Sequence, residues 1–226
     1  MGDNGTILFI HGMGGGADSR IPSILHDCFS GGGPQVVVRT YDFDPDTARR
    51  QLASWVDELR PAVLVGESLG AAHAISLRNH IAREGKTAHI PPVILVSPAL
   101  NAPVTFQRLA FLALIPGVSA LLGRIYKPRP GERQELDFAY RKLRKWKPFC
   151  SEVFDAVGNA SSSTFAFFGT RDHYRRSGIV SLKRWRRVFG DDSFAVYDGT
   201  HFMEEEYVRS LLVPEILETL AQVGRQ

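Results

Sequence analysis

Six short and nearly continuous apolar runs set the first constraint on this chain. They are Thr6–His11 (TILFIH), Val36–Tyr41 (VVVRTY), Ala62–Gly66 (AVLVG), Val93–Ser97 (VILVS), Thr164–Phe168 (TFAFF) and Phe194–Tyr197 (FAVY). A strand with one wet face alternates apolar and polar residues, whereas unbroken apolar runs belong to strands covered on both faces. Helical stretches fill the gaps. Ile21–Phe29 has Pro22 near its start, where a missing N–H costs little. Asp46–Leu59 has Asp44 or Asp46 as cap and stops before Pro61. Leu69–Glu84 runs into Gly85 and Ser177–Phe189 into Gly190. Glu204–Val223 opens with three glutamates, which the positive end of the helix dipole favours. Regular strand–helix alternation predicts an α/β fold, a three-layer α/β/α arrangement around a mainly parallel six-stranded sheet.

One segment breaks the rhythm. Residues 98–163 are too long for a simple crossover between the fourth and fifth strands. Within them Thr105–Ile125 is apolar and is interrupted by Pro116-Gly117. KPRPGER then reads as a loop, and Glu135–Trp146 as a basic helix. The expectation is a single domain over 1–226 with 98–163 as a helical insertion across the sheet's edge. The insertion is either a lid over a nearby site or a structural extension that buries its own apolar helix.

The junction after the third strand reads Val65-Gly66-Glu67-Ser68-Leu69-Gly70. A serine bracketed by glycines between a strand and a helix has the form of a nucleophile elbow, a strained turn that lifts one hydroxyl above the sheet. Small neighbours are needed for strand and helix to pack closely around it. Such a serine requires an acid and then a histidine, both after later strands. Asp172 follows the fifth strand in Gly169-Thr170-Arg171-Asp172, and His201 follows the sixth in Asp198-Gly199-Thr200-His201-Phe202. All three then lie at the carboxyl edge of the sheet, where open α/β sheets bind ligands. After the first strand comes His11-Gly12-Met13-Gly14-Gly15-Gly16, whose turn can aim a backbone N–H at an oxyanion. The amides of Met13 and Leu69 are the two natural donors.

These four motifs, in this order, resemble the α/β-hydrolase superfamily, particularly its compact bacterial esterase-like members. HGMGGG resembles the oxyanion loop, GESLG the elbow, GTRD the acid turn and GTHF the histidine turn. The likeness spans nearly the whole chain outside 98–163. It implies strand order 2-1-3-4-5-6 and a serine hydrolase of carboxylesterase or thioesterase type. Ser68 would be the nucleophile, His201 the general base and Asp172 the orienting acid. A small-molecule acyl substrate is implied, and no metal or organic cofactor. Family members often carry a small spacer and an apolar residue after the acid, but here His173-Tyr174-Arg175-Arg176 stands there. Arg175 and Arg176 are candidate contacts for an anionic substrate.

Other readings attach to the same residues. Ser68 can be an ordinary turn serine, and Asp172 a cap or an ion-pair partner of Arg171 or Arg175; Asp155 lies in the variable segment. His173 and His73 compete with His201 for the base, and both read as structural. His11 reads as a brace of the Gly-rich turn, and Trp146 and Trp185 as core. Residues 12–17 also satisfy G-x-G-x-x-A, with Asp42 after the second strand, so a nucleotide-binding domain is one rival. A hydrolase-like protein that binds a ligand or partner without catalysis is another.

Composition narrows the class further. With 44% hydrophobic and 23% charged residues in 226, the chain can bury a substantial core and no run reaches membrane-span length, which argues against stable membrane insertion. Cys28 and Cys150 form neither a disulfide framework nor a metal spacing, so the cytoplasm is the expected location. Gly2 and Thr6 fit a myristoylation pattern, and Asn4-Gly5-Thr6 and Asn159-Ala160-Ser161 fit a glycosylation pattern; neither is expected to be used. The net charge of +3 is mild, but residues 124–147 hold nine Lys/Arg against three acids and residues 171–187 hold seven against one. Those clusters are either solvated faces or anion-attracting surfaces, with no nucleic acid expected. The sequence leaves the acyl group, the leaving group and the oligomeric state open.

Overall fold

The computed structural model describes residues 5–84, 90–154 and 163–225. All six strands are present: β1 Thr6–Ile10, β2 Gln35–Val38, β3 Val63–Glu67, β4 Val93–Val96, β5 Thr164–Gly169 and β6 Phe194–Tyr197. They form one sheet in the order β2-β1-β3-β4-β5-β6, and every pairing is parallel. Successive residues of one strand feed two separate cores. Leu8, Leu64, Leu95 and Phe168 face one way, and Ile7, Phe9, Val65, Ile94 and Phe167 face the other. Burial on both faces is what the unbroken apolar runs required.

Helices α1 (Arg20–Phe29) and α10 (Val213–Val223) cover one face, burying Ile21, Leu25 and Ile216. Helices α2 (Pro45–Leu59), α3 (Leu69–Glu84) and α8 (Leu182–Phe189) cover the other. Asp44 caps α2, its Oδ1 accepting from the Thr47 N–H at 3.1 Å. Gly85, Asp155 and the patterns at Gly2, Asn4 and 159–161 lie outside the described residues.

Three elements differ from the sequence expectation. The helix expected over Ser177–Phe189 begins at Leu182, because Ser181 caps it by accepting from the Arg184 N–H and Gly178 turns the preceding chain at φ 74°. The C-terminal helix runs as α9 (Glu205–Tyr207), a π-helical turn (Val208–Leu212) and α10. Pro214 explains the wide turn, since its ring excludes a normal bond to the carbonyl four residues back. The helix expected over Glu135–Trp146 shrinks to α6 (Tyr140–Leu143) and a 3₁₀ turn through Trp146. Asp137 Oδ1 takes the Ala139 N–H at 2.9 Å, a local bond that competes with helix.

The insertion also contains α4 (Ala102–Leu112), α5 (Val118–Ile125) and α7 (Phe149–Glu152). Trp146, fully buried, fastens it to the body. It packs on Phe43, Phe106 and Phe149 and on His73 of α3, with ring centroids 4.8–5.6 Å apart. Trp185 is equally buried, its Nε1 donating to Ser193 Oγ at 2.8 Å.

Candidate active site

The site begins with the turn between β3 and α3. Ser68 has φ 53°, in the left-handed region that side chains avoid, and three hydrogen bonds hold it there. Its N–H donates to Val96 O at 2.9 Å, and its carbonyl accepts from Ala71 and Ala99 at 3.2 and 3.1 Å. The flanking glycines are sterically required. A Cβ on Gly66 would lie 2.8 Å from the Ala71 Cα, and one on Gly70 only 2.0 Å from Ile10 O.

His201 and Asp172 arrive from the ends of β6 and β5. The two loops meet at Gly169, where a Cβ would fall 2.4 Å from Gly199 O. Arg171 N donates to Gly199 O at 2.9 Å, and the Glu204 carboxylate takes the Thr200 N–H at 3.1 Å. So positioned, His201 Nε2 lies 2.9 Å from Ser68 Oγ, and its Nδ1 lies 2.8 Å from Asp172 Oδ2. The other carboxylate oxygen accepts the Tyr174 N–H at 2.8 Å. Asp172 and His201 are 3% and 1% exposed, while Ser68 is half-buried. Shielding strengthens both hydrogen bonds. One unbroken chain therefore links a buried carboxylate, an imidazole and an accessible hydroxyl.

The Gly-rich turn lies against the serine, with the Cβ position of Gly12 3.3 Å from Ser68 Cβ. His11 braces it as expected: Nδ1 meets Gly12 O at 2.8 Å and the ring stacks on Tyr41 at 4.4 Å. Gln134, which the sequence did not single out, is a further brace. It takes the Gly14 N–H on Oε1 at 3.0 Å, and its own N–H donates to Gly15 O at 2.8 Å. Among the described residues the Met13 N–H donates to no protein acceptor. The Leu69 N–H opens α3, where no carbonyl lies one turn behind it. The amides of Gly14, Gly15 and Gly16 are spent on Gln134, Gly12 and Ser19. Those three amides are therefore not available to a phosphate in the way the nucleotide-binding reading needs.

Glu67, inside the elbow, is the site's unusual carboxyl. Burial pushes it above its ordinary range, while His201 and Arg20 pull against that rise. The rings of Tyr174 and Phe202 flank His201 with centroids 4.5 and 5.3 Å away, and Phe202 is 57% exposed. His173 packs tilted on Tyr174 with centroids 4.1 Å apart and lies 5.9 Å from the His201 ring, and His73 is sealed among Tyr41, Trp146 and Phe149. Arg175 Nη1 donates to Gly169 O at 3.1 Å and so closes the acid loop, whereas Arg176 is exposed. The signal for Tyr174 was its place two residues after the acid, in the stretch that departs from the family pattern.

No protein-family model matches the chain, and no curated protein matches it. Solved structures do match. Est1E from Butyrivibrio proteoclasticus with ferulic acid bound aligns over 94% of this chain and 89% of its own, with TM-score 0.58 and 14% identity. Alpha/beta hydrolase domain-containing protein 10 from mouse aligns over 96% and 90%, with TM-score 0.63 and 15% identity. The siderophore hydrolase EstB from Aspergillus fumigatus aligns over 98% and 91%, with TM-score 0.57 and 13% identity. At these identities the likeness is one of fold.

Proposed function

We propose that this chain, which has the α/β-hydrolase fold, is a serine hydrolase that cleaves a carboxylic ester or thioester through an acyl-enzyme. The observation that carries the reading is the hydrogen-bonded chain from Asp172 through His201 to Ser68 Oγ, held on a left-handed elbow. Ser68 Oγ attacks the acyl carbonyl as His201 Nε2 takes its proton. Negative charge then develops on the carbonyl oxygen, and the Met13 and Leu69 amides receive it. Asp172 keeps the His201 Nδ1 proton in place and stabilises the imidazolium. Collapse breaks the bond to the alcohol or thiol, which leaves with the proton from His201. Water, deprotonated by the same ring, attacks the acyl-enzyme and frees Ser68.

The matched structures include an esterase and a siderophore hydrolase by name, which supports hydrolysis as the chemistry. The test is labelling by a serine-reactive fluorophosphonate, with the adduct located by mass spectrometry. An adduct on Ser68 that Ser68→Ala removes is the expected result. Asp172→Asn is expected to slow ester hydrolysis by roughly 10⁴-fold. A folded protein that takes no label, or takes it elsewhere, would sink the reading. On a thioester, Arg176→Ala is expected to raise KM for an acyl-CoA more than for a neutral ester. Equal effects would remove a role for that cation.

A further inference from the structure

The apolar stretch of the insertion is not buried. Helix α4 sends Phe106 and Ala110 into the core, but α5 buries no residue at all. Phe111 is 71% exposed, and Leu112, Leu114, Ile115, Leu121 and Ile125 are each at least half exposed. With Tyr126 they make seven of the eleven exposed large apolar side chains among the described residues, gathered in sixteen consecutive positions. Scattered exposed apolar groups need no explanation, but such a concentration on two consecutive helices does.

Charge indicates what covers it. Residues 102–131 contain four cations and no acid. The cations Arg108, Arg124, Lys127 and Arg129 are all exposed, and none forms a salt bridge with another described residue. Two copies of this face would set four positive charges against four, which disfavours self-association. An exposed apolar segment that carries four exposed cations and no acid is complementary to an anionic lipid surface, where leucine and phenylalanine enter the acyl boundary and Lys/Arg meet headgroups. No described helix is long and apolar enough to cross a membrane, so the contact is peripheral.

We propose that the consecutive helices α4 and α5 form a docking face for anionic phospholipid membranes. The chain leaving it goes straight to the site: Pro128 and Leu136 lie 3.6 Å from the Cβ position of Gly14 in the oxyanion turn. Docking there would hold the Gly-rich edge of the sheet at the lipid surface. Membrane binding does not use the triad, so this proposal and the hydrolase reading fail separately.

The test is co-sedimentation of the full chain with vesicles of phosphatidylcholine plus phosphatidylglycerol, against phosphatidylcholine alone. Binding to the anionic vesicles is expected, weakened by salt. Leu114→Asp with Ile115→Asp is expected to weaken it at least tenfold. Arg124→Gln and Lys127→Gln are expected to weaken it roughly fivefold each. Melting curves check the variants, and Phe111→Ser serves if the double variant does not fold. Absence of binding at low salt, or binding that these variants leave unchanged, overturns the proposal. So does a concentration-dependent dimer dispersed by the double Asp variant, which would give the face to a second copy.

Discussion

Tyr174 meets His201 edge-on, with ring centroids 4.5 Å apart, and is fixed there by its own N–H bond to Asp172. The tyrosine thus holds the imidazole on one side and anchors its partner carboxylate on the other. An aromatic edge contact is worth about 1 kcal/mol, or about fivefold. Tyr174→Ala is expected to lower kcat/KM on a model ester by roughly that factor, and Tyr174→Phe to restore it. If Phe behaves as Ala does, the hydroxyl rather than the ring is what matters.

The close approach at the elbow makes a methyl group intolerable. In Gly70→Ala the new Cβ would sit 2.0 Å from Ile10 O and 2.5 Å from His11 O, both backbone atoms that cannot swing aside. A loss of about 3 kcal/mol in stability is expected, since backbone must shift. Fluorophosphonate labelling at Ser68 should fall with it. Urea titration and labelling on the same sample check both.

Two buried histidines make the fold sensitive to mild acid. Burial, aided by the Arg133 charge against a raising bond to Gly12, pushes His11 down to about 4. Burial, with the charges of His11 and Arg49, pushes His73 down to about 3. Between pH 6.5 and 4 the unfolded chain binds protons that the folded chain refuses, so stability falls as pH falls. Together the two rings are expected to cost about 4 kcal/mol between pH 7 and pH 5. The Nε2 of His73 also has no hydrogen-bond partner. His73→Phe should therefore flatten the acid slope by about half without loss at pH 7. A steeper slope in that variant would refute the account.

Asp44 acts in a lower window. Burial alone would raise its pKa, but hydrogen bonds from Lys145, the Thr47 N–H and Lys142 hold it at about 2. The carboxylate's stabilisation is thus present above about pH 4 and is lost as pH falls towards 2. Its side chain is fully buried, but the two lysines are 29% and 41% exposed, so the ion pairs add little to the cap. Asp44→Ala is expected to cost about 2 kcal/mol at pH 7. Thermal melting of this variant should lose the pH 4 to 2 component.

The legible parts of this fold share one physical cause. Strands sealed on both faces have only apolar residues to use, so β1, β3, β4 and β5 stood out as unbroken runs. Ser68, Asp172 and His201 were legible as a set because each follows a strand, and one sheet edge brings all strand ends together. Gln134 and Tyr174 were not. Gln134 meets Gly14 across 120 positions, and nothing local to a glutamine announces such a contact. The helix expected from Glu135 was lost to a single Asp137 turn, a bond that composition does not weigh. The exposed stretch at 111–125 was legible only as a choice between a lid and an extension that buries its own helix. An apolar run reads as core, but hydrophobicity alone cannot say whether the fold supplies a covering layer.

The grip of Gln134 on the Gly-rich turn has a consequence for how the chain can be edited. The turn that would receive the developing oxyanion is not finished by its own loop; it borrows a side chain and a strand-like bridge, Gly16 to Arg133, from the insertion. A shortened chain that closed β4 directly onto β5 would keep all three residues of the hydrogen-bonded relay and lose the scaffold of the fourth participant. The segment that looks most like an ornament is thus inseparable from the glycine turn beside Ser68, and a minimal version of this protein would have to be redesigned rather than trimmed.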